Sequence, residues 1–174
     1  MVLTKGRSAG FTLIELLIAL TLVAILLVVA LPSYRSLREE QLVKAATQAV
    51  YMDMMLLKSE AIKRNKTITF KLFNAGQPDW CYRIVIDATC GSCAACPSIE
   101  GRKEVDAEEF PGIIVDSSLG YKSASTASIT FTPRRNTFKA GYIKISNPSN
   151  IVSHITLADL GHISTCIEGE TCSP

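Results

Sequence analysis

This chain has few histidines and almost no excess of charge of either sign. Its histidines are His154 and His162, and its 18 Lys and Arg residues nearly balance its 16 Asp and Glu residues. A near-neutral composition gives no electrostatic argument for an obligate nucleic-acid binder. Neither histidine is accompanied by a nucleophile-elbow or phosphate-loop motif. The acidic residues between positions 100 and 109 are interspersed with Arg102 and Lys103, which is typical of a solvated loop. The sequence therefore predicts no enzyme and no cofactor.

Repeats and low-complexity segments are not evident either. The hydrophobic fraction, 48%, is too high for a disordered chain. A length of 174 residues allows one core of ordinary size but not two. We therefore expect one globular domain with an appendage.

The appendage is a long apolar run at residues 11–30, FTLIELLIALTLVAILLVVA. Twenty residues suffice for one bilayer crossing. Lys5 and Arg7 precede the run and favour a cytoplasmic amino terminus. No Ala-x-Ala site follows the run, which argues against ordinary signal-peptide cleavage there. The sequence predicts a single-pass anchor with the rest of the chain outside the cytoplasm.

One carboxylate interrupts the apolar run. Glu15 would cost about 2.5–3.5 kcal/mol on insertion scales, and such residues normally mark function. The segment Gly10-Phe11-Thr12-Leu13-Ile14-Glu15 resembles the type IV prepilin signature. The resemblance implies that a prepilin peptidase/methyltransferase removes residues 1–10 by cutting between Gly10 and Phe11, and then N-methylates Phe11. It also implies that Glu15, the fifth residue of the mature chain, mediates subunit assembly. The physical reason is that the positive amino terminus of a neighbouring subunit can neutralise this carboxylate in lipid.

An amphipathic helix is predicted after the apolar run. Apolar residues recur at steps of three and four, which is typical of a helix with one buried face. They are Val43, Ala46, Val50, Met54, Leu57 and Ala61. We interpret Met52, Met54 and Met55 as core packing rather than as a soft binding surface. Pro32 predicts a kink or local melting within the helix, and Asn65 predicts its end. The organisation is thus a membrane half at residues 11–31, an amphipathic half at 32–64 and a head at 65–174.

The head reads as β-rich. Period-two alternation predicts strands separated by Asn, Gly, Pro and Ser clusters, as in an antiparallel sheet or sandwich. The predicted strands are residues 67–72, 82–86, 112–116, 128–132, 141–145, 151–156 and 162–166. The fold class is therefore α+β, with a long amino-terminal helix packed on the head.

Two further segments narrow the resemblance. Residues 57–65, LKSEAIKRN, are similar to the helix exit of the GspH/FimT family, and residues 129–134, ITFTPR, are similar to one of its later strands. The family comprises H-type pseudopilins of type II secretion and FimT/FimU minor pilins, so the type IV pilin fold is implied. The resemblance also implies a structural role, that of a minor pilin that primes pilus assembly near the filament tip. The alternative is pseudopilin H of the periplasmic pseudopilus.

The same resemblance implies partners and a location. The partners are other minor pilins and a major pilin, or other pseudopilins, together with an inner-membrane assembly platform. The location is the bacterial inner membrane with the head in the periplasm, followed by the filament tip or cell surface. A disulfide-rich head favours the pilus over the secretion system, because such a head suits extracellular exposure.

Six cysteines predict disulfides in the head. The candidates are Cys81, Cys90, Cys93, Cys96, Cys166 and Cys172. The C-x2-C-x2-C-P spacing of the middle three also occurs in metal-cluster proteins, but an extracytoplasmic compartment favours oxidation over metal loading. Fifteen full pairings exist. The nearest guess is Cys166 with Cys172, which would close a small loop; partial pairing and metal binding remain alternatives.

DNA binding, as in a minor pilin for natural transformation, is the second alternative function. Some FimT proteins are DNA receptors that carry a Gly-Arg-x-Arg motif, whereas this chain has Gly161-His162-Ile163-Ser164 at the matching place. The phosphate contacts of both arginines are therefore absent. What remains is a basic group at a predicted hairpin tip, formed by Arg134, Arg135 and Lys139. Residues 65–174 contain ten basic and eleven acidic residues, which gives no long-range attraction to DNA.

Overall fold

The protein's structure, a computed structural model, describes residues 11–86, 90–97, 99, 105–118 and 126–167. Within these residues it has one α-helix, α1 (Leu13–Arg64), and eight β-strands. The strands are β1 (Ile68–Phe73), β2 (Cys81–Ile86), β3 (Val105–Asp106), β4 (Ile114–Ser117), β5 (Ala127–Phe131), β6 (Gly141–Ser146), β7 (Val152–Leu157) and β8 (Ile163–Ile167). The chain divides into two compact units between Arg38 and Glu39.

The first unit is the apolar part of α1. Every side chain described from position 11 to position 31 is exposed, and nearly all of them are apolar. A helix that is apolar all round needs lipid or other protein chains about it. Its length and composition suffice for one membrane crossing. The backbone is helical on both sides of Pro32 and at Pro32 itself, so the expected local melting does not occur, and the kink stays a prediction.

The second unit contains the remainder of α1 and both sheets. The six residues predicted to face the core are all buried, with exposures of 0–1%, because their spacing follows the 3.6-residue helical period. The helix ends at Arg64, and Asn65 adopts a φ of 50°. Lys66 N–H then donates to the Ala61 carbonyl oxygen at 3.2 Å, which satisfies a backbone acceptor that the helix end leaves free.

Two antiparallel four-stranded sheets form the head. Sheet A has the order β3-β2-β1-β5, and sheet B has the order β4-β6-β7-β8. All seven predicted strands are present. Strand β3 was not predicted, because two residues are too short to show alternation. It lies in the acidic segment that the sequence predicted to be a loop, and Asp106 pairs with Cys81 of β2.

The main core is shared by α1 and by the inner faces of both sheets. Its largest fully buried side chains include Trp80, Tyr82, Phe70 and Phe131. Burying large side chains of this kind contributes about 1.5–3 kcal/mol each relative to leaving them exposed. The core therefore holds α1 in place, and the opposite face of the helix is left exposed.

A second, smaller cluster lies on the opposite face of sheet A. Phe73 and Val85 alternate with residues of the main core along β1 and β2 and pack against Cys93 and Cys96. We call residues 90–97 the disulfide lobe. Its pairings are Cys81 with Cys93 and Cys90 with Cys96. The lobe thus covers an apolar patch of the sheet that would otherwise be open to water.

Two further contacts involve the head's cysteines. Lys71 Nζ donates to the Cys90 carbonyl oxygen and lies 5.4 Å from the centre of the Phe73 ring. The hydrogen bond joins the lobe to β1, and the attraction between the ammonium group and the Phe73 ring, within β1, keeps Lys71 on that face of the sheet. Cys166 is also disulfide-bonded, while Cys172, its predicted partner, lies outside the described residues.

Candidate assembly site

The first turn of α1 is capped by the side chain of Thr12. Thr12 precedes the helix, and its Oγ1 accepts a hydrogen bond from Glu15 N–H at 3.3 Å. The Thr12 carbonyl oxygen accepts a second bond, from Leu16 N–H at 3.2 Å. A Thr followed three residues later by Glu is the sequence signature of a capping box. This signal was available in the sequence and fixes Glu15 at the third helical position.

The Glu15 side chain is exposed in the first unit. Among the described residues, no ion pair or side-chain hydrogen bond is found for its carboxylate. Phe11 is 78% exposed, and the apolar side chains around the carboxylate are exposed as well. Gly10 lies outside the described residues. The arrangement places one carboxylate at the amino-terminal end of an exposed apolar helix, the end at which the helix dipole favours negative charge.

The outer face of the head helix is apolar. Met52 is 58% exposed, Met55 43%, Leu56 36% and Ile62 53%. We call these four residues the outer stripe. The expectation that Met52, Met54 and Met55 all lie in the core was wrong for two of them; only Met54 is buried. At about 100° per residue, Met52 and Met54 necessarily point to nearly opposite sides of one helix.

Charged side chains lie near the helix end, and Lys63, two turns after Leu56, shares the face of the outer stripe. The Glu60 carboxylate lies 2.7 Å from Arg64 Nε and 3.4 Å from Lys63 Nζ. The Arg64 hydrogen bond holds the pKa of the Glu60 carboxyl below its usual value. This pair stabilises the fold above the unfolded pKa of the carboxyl, and the contribution is lost as the pH falls through the lower folded pKa.

A clasp of two turns brings the predicted basic tip beside residue 161. Asn136 Nδ2 donates to the Leu160 carbonyl oxygen at 3.3 Å, and Lys58 Nζ donates to the Gly161 carbonyl oxygen at 2.8 Å. We call Lys58, Asn136 and Gly161 the turn clasp. The three predicted basic residues are exposed on or just after the 132–137 turn. Within the described part of the chain none of them forms an ion pair: Arg134, Arg135 and Lys139.

Gly161 is required by the clasp for two reasons. Its φ is +73°, and an added Cβ would lie 2.6 Å from the Asn136 carbonyl oxygen. Gly112 has a similar φ of +80°, but open space where the Cβ would lie. We expect Gly161→Ala to lower the free energy of unfolding by about 2–4 kcal/mol and Gly112→Ala by about 1 kcal/mol. Urea denaturation of both variants checks this, and equal losses would contradict the steric argument.

Two buried hydrogen bonds were not predicted from the sequence. Tyr82 Oη donates to Asp53 Oδ2 at 2.7 Å, and Trp80 Nε1 donates to the Ile113 carbonyl oxygen at 2.7 Å. Each joins residues about thirty positions apart, so local periodicity carries no signal for them. The first bond joins β2 to α1, and the second joins the residue before β2 to the residue before β4. Both lie in the core and not on the exposed surface.

The cysteine-rich segment is organised by disulfides. Cys81, Cys90, Cys93 and Cys96 are all disulfide-bonded, so their sulfurs are not free thiolate ligands. In the part of the chain that the structure describes, no group of three or more His, Cys, Asp or Glu residues could hold a metal ion. The site therefore offers surface contacts and one carboxylate.

Two family models match segments of this chain. The prokaryotic N-terminal methylation motif matches residues 5–31, and the family described as type II transport protein GspH matches residues 46–161. No curated protein matches the chain in sequence.

Solved structures share the fold. The minor pseudopilin EpsH from the type 2 secretion system of Vibrio cholerae is 13% identical with a TM-score of 0.54, covering 73% of this chain and 98% of EpsH. The type IV minor pilin FimU of Pseudomonas aeruginosa is 16% identical with a TM-score of 0.52, covering 76% of this chain and 92% of FimU.

These findings converge on one family. The head has the α+β type IV pilin fold, and the amino-terminal segment carries an apolar helix with the methylation motif. Proteins of this kind are structural subunits that assemble with other pilins or pseudopilins. Since the family match covers well over half of its length, the chain belongs to the GspH family and is a minor pilin-like or pseudopilin-like protein with a membrane-anchoring helix.

Proposed function

We propose that this protein is a minor pilin that primes type IV pilus assembly near the filament tip. In this proposal, the leader at residues 1–10 is removed and Phe11 is N-methylated. The chain then spans the bacterial inner membrane once, with the head in the periplasm, and enters the filament from an inner-membrane assembly platform.

The observation that carries the proposal is the Glu15 carboxylate in the first turn of an exposed apolar helix. In lipid such a charge costs about 2.5–3.5 kcal/mol. The free amino terminus of a neighbouring subunit would neutralise it and offset that cost. Assembly is then favoured over the isolated subunit, and the pairing also sets the position of each new subunit along its neighbour.

The outer stripe supports the same proposal within the head. Its four exposed apolar side chains lie on the helix face opposite the main core. Exposed apolar surface of this kind marks a protein interface. We infer that it packs against the helix of an adjacent pilin, where Met52 and Met55 can adapt to the partner's surface.

The competing role is that of pseudopilin H in the type II secretion pseudopilus, which the family match and the likeness to EpsH favour. The preference for a pilus rests on the disulfide lobe and on the bonded Cys166. A head held by disulfides resists unfolding and reduction outside the cell. Both roles use the same helix contacts, so only a cellular test separates them.

We expect deletion of this gene to abolish surface filaments and to leave secretion of a known exoprotein normal. Electron microscopy and an exoprotein assay on the same cultures measure both, and complementation with the intact gene is the control. Normal filaments with lost secretion would contradict the proposal and make the protein a pseudopilin H. If both processes survived, DNA uptake through Arg134, Arg135 and Lys139 would become the leading function.

A further inference from the structure

The two disulfides of the lobe interlock along the sequence. In chain order, the first of the four cysteines pairs with the third and the second with the fourth: Cys81 with Cys93, and Cys90 with Cys96. Each bond therefore has one end inside the loop that the other closes. Four cysteines have three full pairings, and this one joins no two cysteines that are consecutive in the sequence.

Two factors favour pairing of cysteines that are consecutive in the sequence: the order in which they leave the membrane and the length of the loops that they close. When the part of the chain after the anchor is translocated in sequence order, Cys81 and Cys90 emerge before Cys93 and Cys96. Their separations are nine positions for the first consecutive pair and three for the second, against 12 and 6 for the pairs in the structure. Shorter loops lose less chain entropy on closure. Early oxidation should therefore form Cys81–Cys90 and Cys93–Cys96.

The consecutive pairing has to be corrected before Cys93 and Cys96 become buried. Cys93 is 7% exposed and Cys96 is 3% exposed, and both pack against Phe73 and Val85. Thiol–disulfide exchange requires a thiolate to reach a disulfide sulfur. The packed lobe shields these sulfurs, so rearrangement has to finish before the lobe closes on sheet A.

We propose that the head is a substrate of a disulfide isomerase, which converts the consecutive pairing into the interlocked one during maturation. The proposal rests on the proposed delivery of the head to the periplasm. The partner is defined by its chemistry: an oxidoreductase with a reactive thiolate that acts on an unfolded chain. The order of the four cysteines is the reason for this step.

Three exchanges complete the conversion. The isomerase thiolate attacks Cys81 of the Cys81–Cys90 bond, forms a mixed disulfide with Cys81 and releases the Cys90 thiolate. Cys90 then attacks Cys96, forms Cys90–Cys96 and releases the Cys93 thiolate. Finally, Cys93 attacks Cys81, forms Cys81–Cys93 and releases the isomerase thiolate. Two disulfides enter and two leave, so no oxidant or reductant is consumed.

The test compares the full chain produced in two bacterial strains that differ only in a periplasmic disulfide isomerase. Thiols are blocked at lysis, and pairing is mapped by mass spectrometry of unreduced peptides. Without the isomerase, we expect the interlocked fraction to fall below about one third, the share that random choice among three pairings would give. With it, the interlocked pairing should predominate.

A double variant, Cys81→Ser with Cys93→Ser, is the matched control. In this variant Cys90 and Cys96 become consecutive, so their bond should form equally in both strains. The measurement detects the disulfide bond itself, so it does not require the variant to fold. Equal interlocked pairing of the natural chain in both strains would overturn the proposal, as would consecutive pairing in the presence of the isomerase. Six free thiols in both strains would instead overturn the periplasmic delivery on which it rests.

Discussion

Replacing Glu15 with Ala should leave the protein in the membrane but reduce its incorporation into filaments by at least about tenfold. The carboxylate lies in the first turn of an exposed apolar helix, and its neutralisation by a neighbouring amino terminus is the proposed force for assembly. Tenfold corresponds to about 1.4 kcal/mol, which is less than the cost of burying the charge. Immunoblots of sheared filaments and of membrane fractions measure the two quantities.

Glu15→Gln separates charge from hydrogen bonding. Gln serves as well as Glu at the third position of the capping box that begins at Thr12, so the first turn of α1 is retained. We expect this variant to assemble as poorly as Glu15→Ala, because both lack the negative charge. Normal incorporation of Glu15→Gln would sink the neutralisation mechanism, even if Glu15→Ala were defective.

Met54 and Met52 should give opposite results, although they lie two positions apart. Met54 is fully buried in the main core, whereas Met52 is 58% exposed in the outer stripe. We expect Met54→Ala to lower the free energy of unfolding by about 2–5 kcal/mol, since it leaves a cavity. Met52→Ala should change it by less than about 0.5 kcal/mol. Urea denaturation of the full chain in detergent measures both values.

Met52→Glu then tests the outer stripe as an interface. A charge placed on an exposed helix position should scarcely affect folding, but it would have to be desolvated wherever the stripe packs against a partner. We expect a stable protein that enters filaments poorly. Normal incorporation of Met52→Glu would show that the stripe faces solvent in the assembled filament, and the helix contacts would then have to lie elsewhere.

Most of the fold was predictable because its signals are local. The core face of α1 follows from helical spacing between Val43 and Ala61, and seven strands follow from alternation bounded by turn residues. Strand β3 was missed because Val105 and Asp106 are too few to form a pattern. The methionine error had another cause: three methionines within four positions were assigned to one face, which helical geometry forbids.

The candidate site has a clear sequence signal in its amino-terminal part and much less of one in the head. Phe11 and Glu15 stand in a sequence motif, and the methylation-motif match covers both. The turn clasp joins Asn136 to residues 24 positions away and Lys58 to one 103 positions away. Contacts over such separations depend on how the sheets fold around the helix. Disulfide pairing has the same dependence, since fifteen patterns are compatible with six cysteines.

The lobe also has a mechanical consequence. In the proposed pilus, a partly unfolded head would lengthen when the filament is under tension. The bond between Cys81 and Cys93 joins residues 12 positions apart with a Cα–Cα distance of 6.4 Å, which removes roughly 35 Å from the length to which the chain can be drawn out. An oxidised head therefore extends less under tension than a reduced one, because the segment 81–93 cannot be drawn out.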